Sequence, residues 1–309
     1  MEDELLLLEK CELCPRKCGV NRLNGEKGYC GIANEIIIAH YGPHYGEEPP
    51  ISGTKGSGTI FFSSCNLRCI FCQNYQISQY REGESYTVEE LAGIFILLEK
   101  QGCHNINLVS PTPYVPFIAT AIRKARLKGL KIPFVYNTNA YENVESLKIL
   151  DGLIDIYMPD FKYWNAGVAK KLSHVPVDKS YPEHAAAAIL EMKRQTGVLT
   201  IKDGVATRGL LIRHLVLPGG LAGSDKIIEW IRDNLGTDTF ISLMSQYYPV
   251  HKASQYPLMN RRIKHEEYDR LTDLLIDGGL KNVFIQKLES APLFVPDFKK
   301  EEPFGNKER

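Results

Sequence analysis

The stretch 58–78, GTIFFSSCNLRCIFCQNYQIS, joins an apolar β-like run at 59–62 to three cysteines, Cys65, Cys69 and Cys72, at Cys-x3-Cys-x2-Cys spacing. Loops this short cannot send the side chains to separate places, so one metal centre can claim all three. Soft thiolates select an iron–sulfur cluster. Three protein ligands leave one iron of a four-iron cluster open to an outside ligand, and that open corner is the functional expectation. The alternative is a zinc knuckle in which Cys103 or a histidine supplies the fourth ligand. It explains neither the strand before the motif nor the pattern after it.

Downstream, β-like and helical patterns alternate. Strands are expected at 59–62, 106–109, 132–136, 154–158, 210–217 and 240–244. Thr87 and Glu90 form a capping box, and Leu91, Ile94, Phe95 and Leu98 follow at helical spacing, an apolar stripe that should face a sheet. Other helices are expected after Pro116 and at 144–150, 163–172, 183–194, 224–235 and 266–276. Asp203-Gly204 between 199–202 and 205–207 signals a hairpin. Six strand-then-helix units imply a parallel sheet with helices outside, and six do not close an eight-stranded barrel. The expected fold class is α/β, a partial (β/α)6 TIM-like barrel spanning 49–309 with a C-terminal extension. Ligands of such sheets sit at the carboxyl ends of the strands, where the three cysteines fall.

Upstream, residues 1–48 read as a small cysteine-rich metal-binding segment and linker. In CELCPRKCGVNRLNGEKGYCG, Cys11, Cys14, Cys18 and Cys30 form Cys-x2-Cys-x3-Cys-x11-Cys, with glycines for tight turns. Four thiolates with few apolar neighbours need a metal to fold, as structural zinc or as a second iron–sulfur cluster relaying electrons. A short β-like run at 35–39 precedes a Gly/Pro-rich stretch, 42–58, that reads as a loop. His40, His44, His174 and His184 read as surface or packing residues.

Lys and Arg total 37 and Asp and Glu 37, so no bulk field attracts nucleic acid or an anionic membrane. Arg123, Lys124, Arg126 and Lys128 read as a solvated helix face. No apolar run approaches bilayer length, and acidic residues stand where a secretory signal needs basic ones. Seven of the eight cysteines fall into the two metal-spaced groups, so reduced thiols and a cytoplasmic protein are expected.

The wording CNLRCIFCQN, with the aromatic Phe71 directly before the last cysteine, resembles the radical S-adenosylmethionine superfamily. It is most similar to the branch related to pyruvate formate-lyase activase, which carries the same partial barrel. The resemblance implies that the open iron of a 4Fe–4S cluster chelates S-adenosylmethionine, and that one electron cleaves it to methionine and a 5′-deoxyadenosyl radical. That radical takes hydrogen from a substrate, in the activases a glycine Cα of a partner protein. Ser110 and Thr112, in Ser-Pro-Thr-Pro, stand where activases have Gly-Gly-Glu-Pro around the methionyl amino group. Asn137 and Thr138 stand where they have Asp-Thr-Asn-Gly. Met158-Pro-Asp160-Phe-Lys162 matches Met-x-Asp-x-Lys, which implies Lys162 at the methionyl carboxylate and Asp160 beside a monovalent cation. Asn137 in place of Asp takes one charge from that site. Arg213 lies in Ile-Arg-x-x-Val-x-Pro-Gly and offers a fork to a carboxylate; strand alternation puts it and His214 on opposite faces. Ser245, Gln246 and Tyr247 occupy the ribose-binding region. A flavodoxin- or ferredoxin-class electron donor and a protein or peptide substrate are the implied partners. A small-molecule radical enzyme and, in another class, an iron–sulfur electron carrier are the alternatives.

Overall fold

The structure is a computed structural model that describes residues 4–288, 295–300 and 302–304. In chain order its elements are β1 (Ile36–His44), α1 (Pro49–Ser52), β2 (Ser57–Phe62), α2 (Tyr75–Ser78), β3 (Glu84–Tyr86), α3 (Val88–Lys100), β4 (Ile106–Val109), α4 (Val115–Leu127), β5 (Phe134–Thr138) and α5 (Val144–Lys148). There follow β6 (Ile156–Pro159), α6 (Ala166–Ser173), α7 (Tyr181–Thr196), β7 (Thr200–Lys202), β8 (Val205–Leu215), α8 (Ser224–Leu235), β9 (Phe240–Met244), α9 (His265–Asp277) and β10 (Asn282–Ile285).

The sheet runs β10-β9-β8-β6-β5-β4-β2-β1-β3, with β7 paired only to β8. Every pair from β2 to β10 on that path is parallel, while β1 pairs antiparallel with both β2 and β3. With β3 and β10 at its two ends the barrel is open, six strand–helix units followed by a further parallel strand, β10. Local chemistry accounts for many boundaries. The Thr87 hydroxyl accepts from Glu90 N at 3.2 Å while Glu90 Oε2 accepts from Thr87 N at 2.7 Å, and the buried stripe of α3 is the expected one plus Ala92. Asp203 and Gly204 both take positive φ, 53° and 79°, as a two-residue type I′ hairpin turn demands.

Two stretches differ from expectation. The Gly/Pro-rich segment 42–58 is not all loop: β1 continues to His44, pairing Tyr41 through His44 with Ile60 through Ser57. Pro43 is tolerated because β3 pairs β1 only at Ile36–Ile38, leaving its nitrogen on a free edge. The hairpin strand and the fifth barrel strand are one strand, β8, which bends at Gly209 (φ 123°). A Cβ there would sit 2.4 Å from Val198 O, so only glycine lets the chain turn from pairing β7 to pairing β6.

Period-two alternation then builds two cores. Outward residues such as Phe134, Tyr136, Tyr157, Leu210 and Ile212 pack under the helices in the main core. Inward residues Val135, Ile156, Met158 and Leu211 form a second cluster closed from below by Ile51 of α1. The same inward rows turn polar toward the strand ends, from Val135 to Asn137, Met158 to Asp160 and Leu211 to Arg213. Arg123, Lys124 and Arg126 on α4 meet Glu4, Glu89 and Asp155 in part-exposed ion pairs. No described helix is long and apolar enough to cross a membrane.

Candidate active site

A cavity of about 200 Å³ opens at the carboxyl ends of the parallel strands. Cys65, Cys69 and Cys72 line it together with Phe71, Ser110, Asn137, Thr138, Asp160, Lys162, Arg213, Gln246 and Tyr247. β2 ends at Phe62, Ser64 turns through φ 74°, and the cysteine loop is pinned to α6 by Ile70 N to Leu172 O (2.9 Å) and Arg68 N to Ser173 O (3.2 Å). Each sulfur has polar company: Cys65 Sγ accepts from Asn139 Nδ2 at 3.3 Å and Leu67 N at 3.4 Å, and Cys69 Sγ from the Ser173 hydroxyl at 2.9 Å. Cys72 Sγ lies 3.3 Å from Ser78 Oγ. Burial, then the neighbouring thiols, push Cys65 up to about 12 and Cys72 up to about 11. Burial raises Cys69 too, against the pull of Lys162. Three adjacent thiols, Cys69 buried and Cys65 and Cys72 half-buried, ionise together only when a cationic centre binds them, and donors already aimed at the sulfurs are what a thiolate-held iron–sulfur cluster uses. The donor set therefore fits that cluster. Cys103, the alternative fourth ligand, is buried beside Gly58, at the opposite end of β2.

Below the cysteines lies a buried charge network. Asp160 Oδ1 accepts from Arg213 Nε at 2.7 Å and Oδ2 from Lys162 Nζ at 2.7 Å. Arg213 also donates to Asn137 Oδ1 (2.6 Å) and Glu47 Oε2 (3.1 Å). Asn107 Nδ2 donates to Glu47 Oε1 at 3.0 Å. Burial works against ionisation of Asp160, but Arg213 and Lys162 hold its carboxyl below the usual range. Lys162 is raised despite burial, chiefly by Asp160 and Cys69. Burial raises both Glu47 and Glu48, with Arg213 opposing. Three carboxyls face two cations there, and burial favours the neutral form of the two glutamates.

Glu47 and Glu48, which no local pattern in the sequence marks, follow β1 in the Gly/Pro-rich stretch and line the cavity. Thr112 does not reach the cavity. It sits in a 3-10 turn, fully buried, donating to Glu142 Oε1 at 2.6 Å. Thr138 also gives its hydroxyl to Glu142, whose carboxyl burial pushes up to about 7. Ser110 and Ala140 hold φ of 60° and 61°, left-handed conformations at the positions where the resembled motifs carry glycine. His214 faces away from Arg213, between Phe161 O (2.6 Å) and Ser224 Oγ (2.8 Å), and burial lowers it to about 4. Gln246 lines the cavity with its amide oxygen accepting from Gln286 Nε2 at 3.2 Å, whereas the Tyr247 hydroxyl is tied to Met259 O at 2.6 Å and its ring lies 5.8 Å from Phe71. Ser245 turns to Gln286 and Lys287.

The four N-terminal cysteines line a second, small cavity of about 20 Å³. Cys11 N to Val20 O (2.9 Å) and Gly19 N to Cys11 O (3.0 Å) close its loop. Contrary to the expectation of a coreless knuckle, Leu8, Leu13 and Ile32 are buried in the main core, so the segment leans on the barrel. Burial pushes Cys14 up to about 12 and raises Cys30. Among the described residues no three His, Cys, Asp or Glu side chains converge on a position for a single metal ion.

A family model described as the Radical SAM superfamily matches residues 59–203. An uncharacterised protein of Methanocaldococcus jannaschii is 33% identical over 276 residues, 87% of this chain and 75% of its own. The FeFe-hydrogenase maturase HydG from Carboxydothermus hydrogenoformans superposes with TM-score 0.52 at 13% identity, over 80% of this chain and 61% of that one. Streptococcus suis SuiB bound to S-adenosylmethionine superposes with TM-score 0.50 at 13% identity, over 74% of this chain and 50% of that one. At such identities the two solved structures speak for the fold alone.

Proposed function

Because the chain belongs to the radical SAM superfamily, we propose that Cys65, Cys69 and Cys72 hold a 4Fe–4S cluster at which S-adenosylmethionine is reductively cleaved. The reading is carried by one observation: the three sulfurs and the Asp160–Lys162–Arg213 network line a single cavity at the strand ends. When bound, the reduced cluster supplies one electron to the sulfonium, and the resulting 5′-deoxyadenosyl radical takes hydrogen from a substrate. Lys162 offers its ammonium to the methionyl carboxylate, fixed by Asp160 from below. Arg213 and Lys162 satisfy both Asp160 oxygens, so these side chains supply the positive charge that the resemblance assigns to a monovalent cation. Phe71 and the Tyr247 ring form an apolar wall, and Gln246 and Ser110 add polar groups for the nucleoside.

The open sheet leaves a side through which a protein loop could enter, and hydrogen abstraction from a glycine Cα of a partner is the substrate reading we carry forward. A small-molecule or peptide substrate is the second reading, favoured by Phe298 and Phe304 packing on Phe61 at the cavity. Cys11, Cys14, Cys18 and Cys30 hold a second metal centre. None of the eight cysteines is in a disulfide, which suits the reducing cytoplasm and an electron donor of the flavodoxin or ferredoxin class. Anaerobic reconstitution followed by product analysis tests the reaction. The reduced protein should form 5′-deoxyadenosine and methionine and the Cys69→Ala variant should not; a reconstituted protein that forms neither would overturn it.

A further inference from the structure

Resting on the reading of the main cavity as an S-adenosylmethionine site, and sharpening the second of the two substrate readings above, we propose that the floor of that cavity is a substrate subsite for a protonated amine. Glu48 is its counter-ion, and the substrate is a small amine with an apolar body.

The carrying observation is a buried acceptor with nothing to accept from. Glu48 is 7% exposed, it lines the main cavity, and its Oε2 has no hydrogen-bond partner. Ser242, level with Arg213 in the strand register, faces the same carboxyl. A second orphan stands on the inward row of β4: Asn107, level with Val135 and fully buried, has an unpartnered Oδ1. Its orientation is fixed, because Nδ2 donates to Glu47 Oε1 at 3.0 Å and the flipped amide would set oxygen against oxygen. Buried polar atoms are paired as a rule. Both orphans are acceptors, so the group that answers them is a donor.

The cations beside them are already committed. Arg213 spends Nε on Asp160, Nη1 on Glu47 and Nη2 on Asn137, and Lys162 Nζ holds Asp160 Oδ2 at 2.7 Å. Glu48 enters none of the ion pairs among the described residues. An anionic ligand would meet more carboxyls than cations there, and a hydroxyl would bring no charge. An alkylammonium brings three donors and the missing positive charge, and beside it the carboxylate form of Glu48 gains the partner that burial otherwise denies it.

Above the floor the inward rows divide. On β2, β4, β8 and β9 they continue to Phe61, Val109, Leu215 and Met244, which all line the cavity, whereas β5 presents Asn137 and Asp160 follows β6. Phe298 and Phe304 back Phe61, each with its ring centroid 5.3 Å away. An amine held at Glu48 therefore lays its carbon body along an apolar wall of the cavity that Cys65, Cys69 and Cys72 also line.

The test is calorimetric binding of phenethylamine and n-hexylamine to the anaerobically reconstituted full chain, set against phenethyl alcohol, n-hexanol and hydrocinnamate, which keep the body and change the charge. At least one amine should bind about 10-fold or more tightly than its alcohol, and the acid should not bind. Glu48→Gln, which keeps the shape and removes the charge, should weaken that amine by about 10- to 100-fold. Alcohols that bind as well as the amines, or amines that do not bind, would overturn the proposal, and this comparison on the wild type stands even where the variant does not fold. An amine affinity that Glu48→Gln leaves unchanged would overturn it as well. Amine binding lost in Glu48→Gln, in a wild type that forms no 5′-deoxyadenosine, would sink the S-adenosylmethionine reading alone; 5′-deoxyadenosine formed by a protein that binds neither amine would sink the amine subsite alone.

Discussion

Replacing Arg213 by Met removes the cation that Asp160, Glu47 and Asn137 share inside the barrel, and the consequence can be worked from the geometry. The side chains of Arg213, Glu47 and Asp160 are 14%, 9% and 14% exposed, so water screens little of the loss. Breaking a buried, hydrogen-bonded pair by removing one partner costs about 3–5 kcal/mol. With about 2.1 cal/mol/K of unfolding entropy per residue, that is a melting shift of about 5–8 °C for a chain of this length. Part of the cost is the charge left on Glu47, so in a Glu47→Gln background the same replacement should cost no more than half as much. Arg213 also restrains the upward pull of burial on Glu47 and Glu48. Without it those carboxyls rise further, the folded state holds more protons, and stability is lost as pH climbs through their folded values. The Arg213→Met penalty should therefore grow as pH rises. Anaerobic melting of the four proteins of this cycle, at one scan rate and two pH values, measures both effects. Equal penalties in the two Glu47 backgrounds, additive within about 0.5 kcal/mol, would refute the shared-cation reasoning.

Glu142, raised to about 7 by burial, stabilises the fold in its protonated form, fully below its unfolded value near 4.5 and progressively less as pH rises toward 7. Glu142→Gln should flatten that dependence by up to about 3 kcal/mol, read as a difference in unfolding midpoint between variant and wild type across the interval; parallel profiles would contradict it. Ser110→Gly and Ala140→Gly relieve left-handed backbone and should each raise the melting temperature by about 1–2 °C, whereas a fall would mean that those side chains contribute more than the strain costs. Lys162→Met should weaken S-adenosylmethionine binding by about 10- to 100-fold in calorimetry while leaving the iron content unchanged. Unaltered affinity would remove Lys162 from the methionyl carboxylate.

What was legible in advance was what local chemistry encodes. A cysteine triplet directly after an apolar strand must sit at that strand's carboxyl end, and inward parity aligns Asn137, Asp160 and Arg213 because strand side chains alternate strictly. The capping box of α3 and the Asp203-Gly204 turn were likewise written within a few residues. Features set by distant pairing were hidden. Glu47 and Glu48 enter the cavity only because β1 folds back on β2, and glycines and prolines in that stretch look like a loop until the partner strand is known. β10 is four residues, none of them buried, and its apolar run, Val283 to Ile285, is too short to separate a strand from a loop without its partner β9. Thr112 and the Tyr247 hydroxyl were drawn away by single partners, Glu142 and Met259 O, that no spacing rule names.

The central claim is that one iron of the Cys65–Cys69–Cys72 cluster is open to S-adenosylmethionine. Electron-nuclear double resonance on the reduced protein, with S-adenosylmethionine labelled at the carboxylate with oxygen-17 and at the amine with nitrogen-15, tests it directly. Hyperfine coupling from both labels to the cluster spin is the expected result. A reduced-cluster signal that carries neither coupling at saturating S-adenosylmethionine would contradict it.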